Sequence, residues 1–401
     1  MVSREGGSAG SRRPKLLYLV TEDWYFWSHR LPMARAARDA GFDVAVATRV
    51  DKHAERIATE GFRVLPLNWR RRSVHPGEAL GAVAEIAALY RRERPDVVHH
   101  VSLKPVVLGG LAAMTAGVPA VVNALTGLGS AFLGKGGLKS KVAGAVARTA
   151  LRTILKRRNS LLVLQNADDR DHLVRLGLVS ADRVWVIRGS GVDTAHFAVL
   201  PEPPPPVVAG YVGRLLEDKG VRPLVEAHRM LRAQGLDVGL LLAGTPDPEN
   251  PTTIQPAELE RWKDLPGVEL AGHVTDVRTV WARAHIAVLP SRREGLPKSL
   301  LEAASCGRAI VATDVPGCRE VARAGDNALL VPVDDAAALA DAIGSLARDA
   351  ALRHRFAAAS RRLVESDMAA DKVGARTVEL YRTLLEATRP GAVPLPQPRT
   401  P

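Results

Sequence analysis

The sequence predicts an α/β protein made of two doubly wound parallel sheets in tandem, which face each other across a cleft. Its 401 residues suit two domains of about 150 to 200 residues each. From Lys15 onward, short apolar runs alternate with amphipathic stretches, a pattern typical of parallel sheets that helices cover on both faces. A single proline-rich segment near residue 200 interrupts this alternation and divides the chain in two.

Seven strands are predicted in the first half of the chain. Each is a short apolar run bounded by polar or turn residues, and together they cover residues 16–20, 43–47, 63–66, 97–100, 120–123, 161–165 and 184–187. Amphipathic stretches such as 31–40 and 79–92 predict the helices between them. The first run is too short for the apolar region of a signal peptide, and polar residues follow it at once, so we interpret it as a strand.

A proline spacer marks the expected domain boundary. Residues 201–206 consist of five prolines and one glutamate, which favour neither a helix nor a sheet ladder. The first domain is therefore expected at residues 14–200 and the second at 207–366, with strands at 207–212, 238–242, 268–270, 286–289, 309–312 and 329–331. Ligands of such sheets bind beyond the carboxyl ends of the strands, which places a ligand in the cleft. The proline-rich tail, 389–401, is expected to be disordered.

The composition narrows the class of protein and of partner. With 46% hydrophobic and 24% charged residues, the chain is neither disordered, collagen-like nor a disulfide scaffold. Two cysteines, Cys306 and Cys318, indicate a reducing cytoplasmic compartment. The net charge of +12 implies an anionic partner, which could be nucleic acid, anionic lipid or a phosphorylated small molecule.

The first chemical motif is the segment 213–220, Gly-Arg-Leu-Leu-Glu-Asp-Lys-Gly, which follows the first strand of the second domain and opens a helix. Arg214 is expected at the carboxyl end of the strand, and Lys219 one loop away near the helix N-terminus. Two cations and free backbone N–H groups that converge in this way suit a diphosphate. A simple strand-to-helix turn with solvated charges is the alternative interpretation.

The second motif, residues 294–302, places two carboxylates eight positions apart across a loop-to-helix junction. Pro297 fits the first helical position, so Glu294 precedes the helix and Glu302 lies in its second turn. The helix N-terminus offers unsatisfied N–H groups to phosphate oxygens, while the carboxylates can accept hydrogen bonds from the hydroxyls of a ribose or hexose. Two surface glutamates beside a helix cap are the alternative.

The pair Asp169 and Asp171 matches the Asp-x-Asp pattern of metal-dependent transferases that have a different fold. It lies in the predicted helix 167–176, close to the start, where acidic residues favour the helix dipole. We therefore predict no metal site.

Together the two motifs resemble those of the retaining GT-B glycosyltransferases often called family 4, which have two Rossmann-like domains, a Glu-x7-Glu motif and an upstream Gly-Arg-Leu…Lys-Gly motif. The resemblance extends from Leu16 to about Leu385. Further segments resemble enzymes of bacterial capsule, exopolysaccharide and O-antigen assembly, namely residues 21–26, 28–30, 98–100, 104–105, 123–129, 165–166 and 189–193.

The resemblance implies a role for each motif residue. Arg214 and Lys219 would hold the donor diphosphate, Glu294 would contact the transferred sugar and Glu302 the ribose hydroxyls, so Arg214, Lys219 and Glu294 are the implied catalytic residues. Other implied donor-binding residues are Gly213, the segment Gly295, Leu296, Pro297 and Lys298, and the first-domain loop with Gly127 and Gly129. The expected co-substrate is a nucleotide sugar, with no cofactor and no metal.

The first domain departs from the family in one respect. Many members place a histidine near the sugar after the fifth strand, where this chain has Leu125 and Thr126. The remaining first-domain candidates are His29, His99 and His100, each with a structural role as the alternative, and Lys104 for the acceptor. The resemblance also implies that a helix over residues 367–387 crosses back onto the first domain.

A basic segment between residues 132 and 160 holds eight cations and no acidic residue: Lys135, Lys139, Lys141, Arg148, Arg152, Lys156, Arg157 and Arg158. Apolar residues at 142, 146, 150, 151 and 154 give it the pattern of a basic amphipathic helix at an anionic membrane surface. We expect the enzyme to lie on the inner face of the cell membrane. A solvated helix with its apolar side on the sheet is the alternative.

These observations predict a retaining transferase that moves a sugar from a nucleotide donor, with UDP as the expected nucleotide, to a polyprenyl-diphosphate-linked saccharide in cell-surface polysaccharide biosynthesis. Two alternatives stay open. One is a GT-B-type UDP-sugar 2-epimerase, and the other is a basic nucleic-acid-binding protein, although the chain has no helix-turn-helix, zinc-finger or RNP-like pattern.

Overall fold

The first sheet contains seven parallel strands. The computed structural model describes residues 12–69, 76–127, 138–389 and 391 of the chain. The strand order is β3-β2-β1-β4-β5-β6-β7, with bounds β1 Lys15–Glu22, β2 Asp43–Arg49, β3 Arg63–Pro66, β4 Val97–Val101, β5 Ala120–Ala124, β6 Ser160–Leu164 and β7 Val184–Val186. All seven predicted strands are confirmed to within two residues at each end.

Within the described residues, seven helices accompany this sheet, and the connections between its strands place them on both faces. They are α1 Asp23–His29, α2 Leu31–Asp39, α3 Ala54–Thr59, α4 Pro76–Glu93, α5 Leu103–Ala116, α6 Leu138–Leu155 and α7 Ala167–Arg175. The acidic pair of the Asp-x-Asp pattern lies in α7, where the side chain of Asn166 caps the helix by accepting a hydrogen bond from the Asp169 N–H. The Asp169 carboxylate accepts a hydrogen bond from Nδ2 of Asn166, and Asp171 forms an ion pair with Arg170.

The second sheet contains six parallel strands in the order β10-β9-β8-β11-β12-β13. Its strands are β8 Val207–Val212, β9 Val238–Ala243, β10 Val268–Gly272, β11 Ile286–Leu289, β12 Ala309–Thr313 and β13 Ala328–Val331. Its helices are α8 Val221–Ala233, α9 Pro256–Lys263, α10 Arg278–Trp281, α11 Lys298–Ser305, α12 Pro316–Arg319, α13 Ala336–Arg348 and α14 Ala350–Leu363. The predicted α/β architecture with two parallel sheets is confirmed.

The proline spacer is fixed to the second half of the chain. The guanidinium of Arg308 donates to the carbonyls of Leu200 and Pro201, and Glu202 forms an ion pair with Arg353. The domain limits 14–200 and 207–366 stay predictions. The expected disordered tail, 389–401, lies outside the described residues except for Arg389 and Gly391.

Each sheet has one topological switch point, where the strand connections change direction. It lies between β1 and β4 in the first sheet and between β8 and β11 in the second. Open parallel sheets bind ligands in the crevice at the carboxyl ends of the two strands that flank this point. The order of the strands therefore selects four loops, those that follow β1, β4, β8 and β11, as the places to search for a site.

The last helix, α15, packs on the first domain. It covers Ala370–Ala387, and a turn of π-helix at Val364–Met368 precedes it, so the predicted helix 367–387 starts three residues too early. The hydroxyl of Tyr381 lies 2.7 Å from the hydroxyl of Tyr18 and 2.5 Å from Nδ1 of His99. At Gly374 an added Cβ would lie 2.7 Å from the Cβ of Ala36 in α2, so the two helices are in close contact.

Two buried histidines stand side by side on β4. His99 is 1% exposed and bonds to Tyr381, whereas His100 lies 2.9 Å from the Tyr90 hydroxyl and 2.8 Å from Oδ1 of Asn123. Burial lowers the pKa of His100 to about 4 and that of His99 well below its usual value. Both imidazoles are therefore neutral at pH 7, and both have the contacts of structural core residues, as the alternative interpretation proposed.

The histidine pKa values predict that the protein loses stability in mild acid. An unfolded histidine with a pKa of about 6.5 takes up a proton below that pH, while folded His100 stays neutral down to about pH 4, so acid favours the unfolded chain. Between pH 7 and pH 5, His100 alone should remove about 2 kcal/mol from the free energy of unfolding.

Urea unfolding at pH 7, 6 and 5 measures this loss. In His100→Gln, which cannot titrate, the loss between pH 7 and pH 5 should be about 2 kcal/mol smaller than in the unsubstituted protein. An equal loss in both proteins would contradict the assignment.

Candidate functional site

Arg214 and Lys219 lie on the loop after β8, at the switch point of the second sheet. Arg214 is exposed, and its Nη1 donates to Oδ2 of Asp247 at 2.7 Å. Lys219 ends a short 3-10 turn, and its Nζ lies 2.5 Å from Oε1 of Glu294. Both cations are thus held by carboxylates on neighbouring loops, and both lie at the carboxyl edge of the sheet.

The path of this loop requires two glycines. Gly220 has a φ of +70°, and an added Cβ would lie 1.9 Å from the carbonyl oxygen of Pro290. Gly244 follows β9, and a Cβ there would lie 1.8 Å from the carbonyl oxygen of Gly213. Only glycine at positions 220 and 244 lets these backbones approach so closely.

Glu294 lies on the loop after β11, on the other side of the same switch point. Its Oε1 accepts from Nζ of Lys219 and, at 2.7 Å, from the hydroxyl of Ser291. The carbonyl of Ser291 accepts from the Thr313 hydroxyl at 2.5 Å. At Gly317 an added Cβ would meet the Glu294 carbonyl at 2.5 Å, so α12 supports the loop from behind. The structure therefore brings Lys219 and Glu294 into direct contact.

Helix α11 follows this loop. It begins at Lys298, so Pro297 is the residue before the helix, and its predicted place as the first helical residue is wrong by one position. Glu302 lies in the second turn as predicted, is 6% exposed, and pairs with Nζ of Lys298 at 3.1 Å. Burial raises the pKa of Glu302, and the neighbouring Lys298 charge opposes that rise.

The two halves of the molecule meet at Gly295. Its carbonyl accepts a hydrogen bond of 3.0 Å from Nδ2 of Asn166 in the first domain. An added Cβ at Gly295 would lie 2.1 Å from the carbonyl oxygen of Thr126 and 2.8 Å from Oε1 of Gln165. Gly127 is also close, since its own Cβ would lie 3.9 Å from Cα of Gly295. The donor motif and the first-domain loop thus come together, while Leu296 is half-buried against Gly189.

His29 is one of the three histidine candidates of the first domain. It ends α1, stacks on Tyr25 with ring centroids 4.3 Å apart, and its Nδ1 lies 2.6 Å from the Ser28 hydroxyl. Burial lowers its pKa to about 3, and the positive charge of Lys298 contributes to the decrease. The His29 imidazole is therefore neutral at pH 7.

The basic segment is only partly described. Gly129 and Lys135 lie outside the described residues, and so do the side chains of Lys139 and Lys141, which belong to α6. Arg148 is half-buried, and Arg152, Lys156, Arg157 and Arg158 are exposed. The apolar residues Leu151 and Ile154 are buried in the domain, against α5 in the case of Ile154, so the expectation that they face a membrane is wrong. The alternative, packing against the protein, is correct for these two.

Several site residues were not assigned from the sequence. Asp247 lies 33 positions from Arg214 and Ser291 lies in a segment without a motif. Gln165 and Asn166 belong to the resemblance, yet nothing in their spacing predicted contact with Gly295. No group of three or more potential metal ligands occurs in the described part of the chain.

Comparison with known proteins gives the class. A model described as glycosyl transferase 4-like matches residues 15–166, and one described as glycosyl transferases group 1 matches residues 206–349. The fold and these two matches identify the protein as a glycosyltransferase of the GT-B class.

The individual relatives have low sequence identity to this chain. The chain is 23% identical over 389 residues to the capsular polysaccharide biosynthesis glycosyltransferase CapM of Staphylococcus aureus. The alignment covers 94% of this chain and 98% of CapM. The chain is 27% identical over 342 residues to the Campylobacter jejuni N,N'-diacetylbacillosaminyl-diphospho-undecaprenol alpha-1,3-N-acetylgalactosaminyltransferase, covering 82% and 88%. A Rickettsia africae glycosyltransferase structure superposes with a TM-score of 0.75 at 17% identity, covering 93% of this chain and 99% of that one, which supports the fold.

The family resemblance implies that Lys219 holds the diphosphate of the donor. On that assignment we predict that Lys219→Ala lowers kcat about a hundredfold or more, because the variant lacks a positive charge worth roughly 3 kcal/mol at the leaving group. Steady-state transfer assays measure the effect.

Lys263→Ala is the matched control, since Lys263 also pairs with a glutamate of the second domain, Glu260, but at an exposed site. Equal activities for the two variants would contradict the role of Lys219.

Proposed function

We propose that this glycosyltransferase moves a sugar from a nucleoside diphosphate sugar to a polyprenyl-diphosphate-linked saccharide, with retention of anomeric configuration, in the assembly of a cell-surface polysaccharide. The observation that carries the proposal is the pair of cations, Arg214 and Lys219, on one side of the second switch point, opposite Glu294 and the start of α11. That arrangement suits a diphosphate with a sugar attached.

The chemistry depends on the leaving group. When the bond between the sugar and the diphosphate breaks, negative charge develops on the β-phosphate, and cations that are already in place stabilise it without reorganisation. Arg214 and Lys219 supply that charge in the proposal, and the N–H groups at the start of α11 add the positive end of the helix dipole. A hydroxyl of the acceptor then attacks the sugar on the same face from which the phosphate departs. The departing phosphate accepts the proton of that hydroxyl.

The ion pairs of the donor site have a role in this scheme. Before the donor enters, Arg214 is paired with Asp247, and Lys219 with Glu294. The incoming diphosphate takes over the cations, which frees the Glu294 carboxylate to accept hydrogen bonds from the hydroxyls of the transferred sugar. Glu302, already held by Lys298, is the proposed partner of the ribose hydroxyls. The exchange gives a hydroxyl-bearing donor an advantage over a simple diphosphate.

The acceptor class rests on the relatives. The Campylobacter enzyme is named for an undecaprenyl-diphosphate-linked acceptor, and CapM is named for capsular polysaccharide biosynthesis. We therefore propose an acceptor of the same type and, with it, a location on the inner face of the cell membrane. No described helix is both long enough and apolar enough to span a bilayer.

A transfer assay tests the reaction. Labelled UDP-, GDP- and ADP-sugars are incubated with polyprenyl-diphosphate-linked N-acetylglucosamine, with and without EDTA, and the anomeric configuration of the product is read by NMR. We expect transfer with retention from one nucleotide class, at a rate that EDTA does not change.

Three results would contradict parts of the proposal. If the protein binds no donor and transfers no sugar, the proposed function is wrong. If the product has the inverted anomeric configuration, the retaining mechanism is wrong. Release of the nucleotide without a glycosylated acceptor would favour the 2-epimerase.

Exposed cations at the end of α6 and just beyond it predict electrostatic binding to an anionic membrane. At about 1 kcal/mol for each basic residue, combining Arg152→Gln, Lys156→Gln and Arg157→Gln should weaken binding to phosphatidylglycerol vesicles about a hundredfold. Vesicle sedimentation measures this.

Arg229→Gln, an exposed arginine of the second domain, is the control and should leave vesicle binding unchanged. Equal binding by the triple variant and the unsubstituted protein would rule out this surface.

A further inference from the structure

The side chain of Asn166 forms bonds that serve two different parts of the molecule. Asn166 follows β6 and is the N-cap of α7, where its Oδ1 accepts from the N–H of Asp169 at 2.7 Å. The Nδ2 group of the same amide donates to the Gly295 carbonyl at 3.0 Å and to Oδ2 of Asp169 at 3.1 Å. The side chain is fully buried. One end of the amide therefore caps a helix of the first domain, and the other end holds the donor motif of the second.

The helix alone does not require an asparagine at this position. Serine, threonine, aspartate and asparagine all serve as N-caps, because each offers an oxygen atom to a backbone N–H. Among them, asparagine alone carries this oxygen together with an NH2 group that supplies two donors. The bond from the Asp169 N–H fixes which end of the amide is the oxygen, so the NH2 end faces Gly295. The contact with Gly295 is therefore what requires an amide.

Gly295 is a residue that needs an external bond to hold its backbone. A side chain is excluded there, since an added Cβ would lie 2.1 Å from the carbonyl oxygen of Thr126. Glycine has more backbone freedom than any other residue. Gly295 also lies in the loop between β11 and α11, where it forms no backbone–backbone hydrogen bond with any described residue. The Asn166 amide supplies the fixed point that this peptide otherwise lacks.

Fixing the Gly295 carbonyl also fixes the N–H of Leu296. The two groups belong to one planar trans peptide, in which the C=O and the N–H point in opposite directions. The carbonyl is turned toward Asn166, so the Leu296 N–H points away from it, and this N–H has no acceptor within the described ranges. Glu294, the proposed partner of the transferred sugar, directly precedes Gly295. The orientation of a free donor close to Glu294 thus depends on Asn166.

Helix α12 completes a ring of contacts around the same peptide. An added Cβ at Gly317 would lie 2.6 Å from the Gly295 carbonyl oxygen, and Arg319 of this helix pairs with Asp168 of α7 at 3.5 Å. Both partners of that ion pair are about half exposed, so it contributes little energy. The buried amide of Asn166 is therefore the stronger of these two links between α7 and the second domain.

We propose that Asn166 is a positioning residue of the transfer reaction, which holds the Gly295–Leu296 peptide so that the Leu296 N–H donates to the transferred sugar. The inference rests on the proposed function, because it names the first-domain residue that shapes the sugar end of that donor site. Asn166 acts through the peptide and contacts no substrate itself. Since its bond joins the two domains, the peptide is held in this orientation only while the domains are in contact.

Asn166→Ser tests the role, because serine keeps an oxygen for the helix cap and lacks the amide donor. With the nucleotide sugar that the transfer assay identifies, kcat/KM should fall about tenfold, the effect of one lost hydrogen bond. Binding of the corresponding nucleoside diphosphate, which is UDP, GDP or ADP, should change by less than about twofold in calorimetry, since that ligand has no sugar.

Two control variants isolate the peptide contact. Asn159 donates through Nδ2 to the Val118 carbonyl at 2.9 Å, a bond of the same kind that stays inside the first domain. Asn159→Ser should lower the melting temperature about as much as Asn166→Ser does and leave kcat/KM unchanged. Asp168→Asn weakens the other link of α7 without affecting the peptide, so kcat/KM should stay within about twofold.

Asn166→Asp is a second variant of the same contact. It keeps the cap and places a carboxylate oxygen against the Gly295 carbonyl oxygen. The two oxygens repel each other, so kcat/KM should fall at least as far as in Asn166→Ser.

Monodeoxy forms of the donor sugar give a readout that a purely structural role would not affect. In the unsubstituted enzyme, at least one of them should react more slowly than the parent donor, because the Leu296 N–H then lacks its acceptor. In Asn166→Ser this difference should shrink, since the N–H is no longer held in place. An undiminished preference for the parent donor would contradict the proposed contact.

The outcomes separate the inference from the proposed function. If the unsubstituted enzyme transfers sugar from no nucleotide donor, the proposed function fails, and the inference fails with it. If transfer occurs and Asn166→Ser keeps its kcat/KM, the inference alone is overturned. An equal loss of kcat/KM in Asn166→Ser and Asp168→Asn would also overturn it, because general contact between the domains would then be what matters.

Discussion

The absence of a side chain at Gly295 is the constraint on which the rest of the site depends. The carbonyl of this residue bonds to Asn166, and its Cα approaches Thr126 and Gln165 so closely that even a methyl group would collide. Because of this contact, the carboxyl edge of the first sheet lies against the loop after β11. Two crevices that are separate in the strand order thereby become neighbours, and a reaction between ligands of both becomes geometrically possible.

In the proposed donor site, the charges are held in place before any donor binds. Lys219 is held by Glu294, which Ser291 also contacts, and Arg214 is held by Asp247, so neither cation has to be ordered when the diphosphate binds. Preorganised charge of this kind makes the largest single contribution to the rate enhancement of many enzymes. In the proposed reaction, the carboxylates compete with the phosphate for the cations and then accept hydrogen bonds from the hydroxyl groups of the sugar.

The sequence predicted the local structure well. All thirteen strands are present, and both motifs lie at a switch point, because the alternation of apolar runs and the position of glycine and proline are local signals. What could not be predicted are contacts across long stretches of chain. The bond from Asn166 to Gly295 joins residues 129 positions apart, and the Arg214–Asp247 pair joins two loops. The amphipathic spacing in α6 predicted an apolar side of the helix but not what that side packs against. Leu151 and Ile154 on that side are buried in the protein core.

The docking of α15 has a consequence for how the molecule is made. Tyr18, on the first strand, bonds to Tyr381, 363 positions later, and His99 bonds to the same hydroxyl. During synthesis, the first domain therefore emerges from the ribosome with its core incomplete and two buried polar groups unpaired. The second sheet has all its strands available before α15 is made, since β13 ends at Val331. The half of the enzyme that is translated last can thus finish folding first.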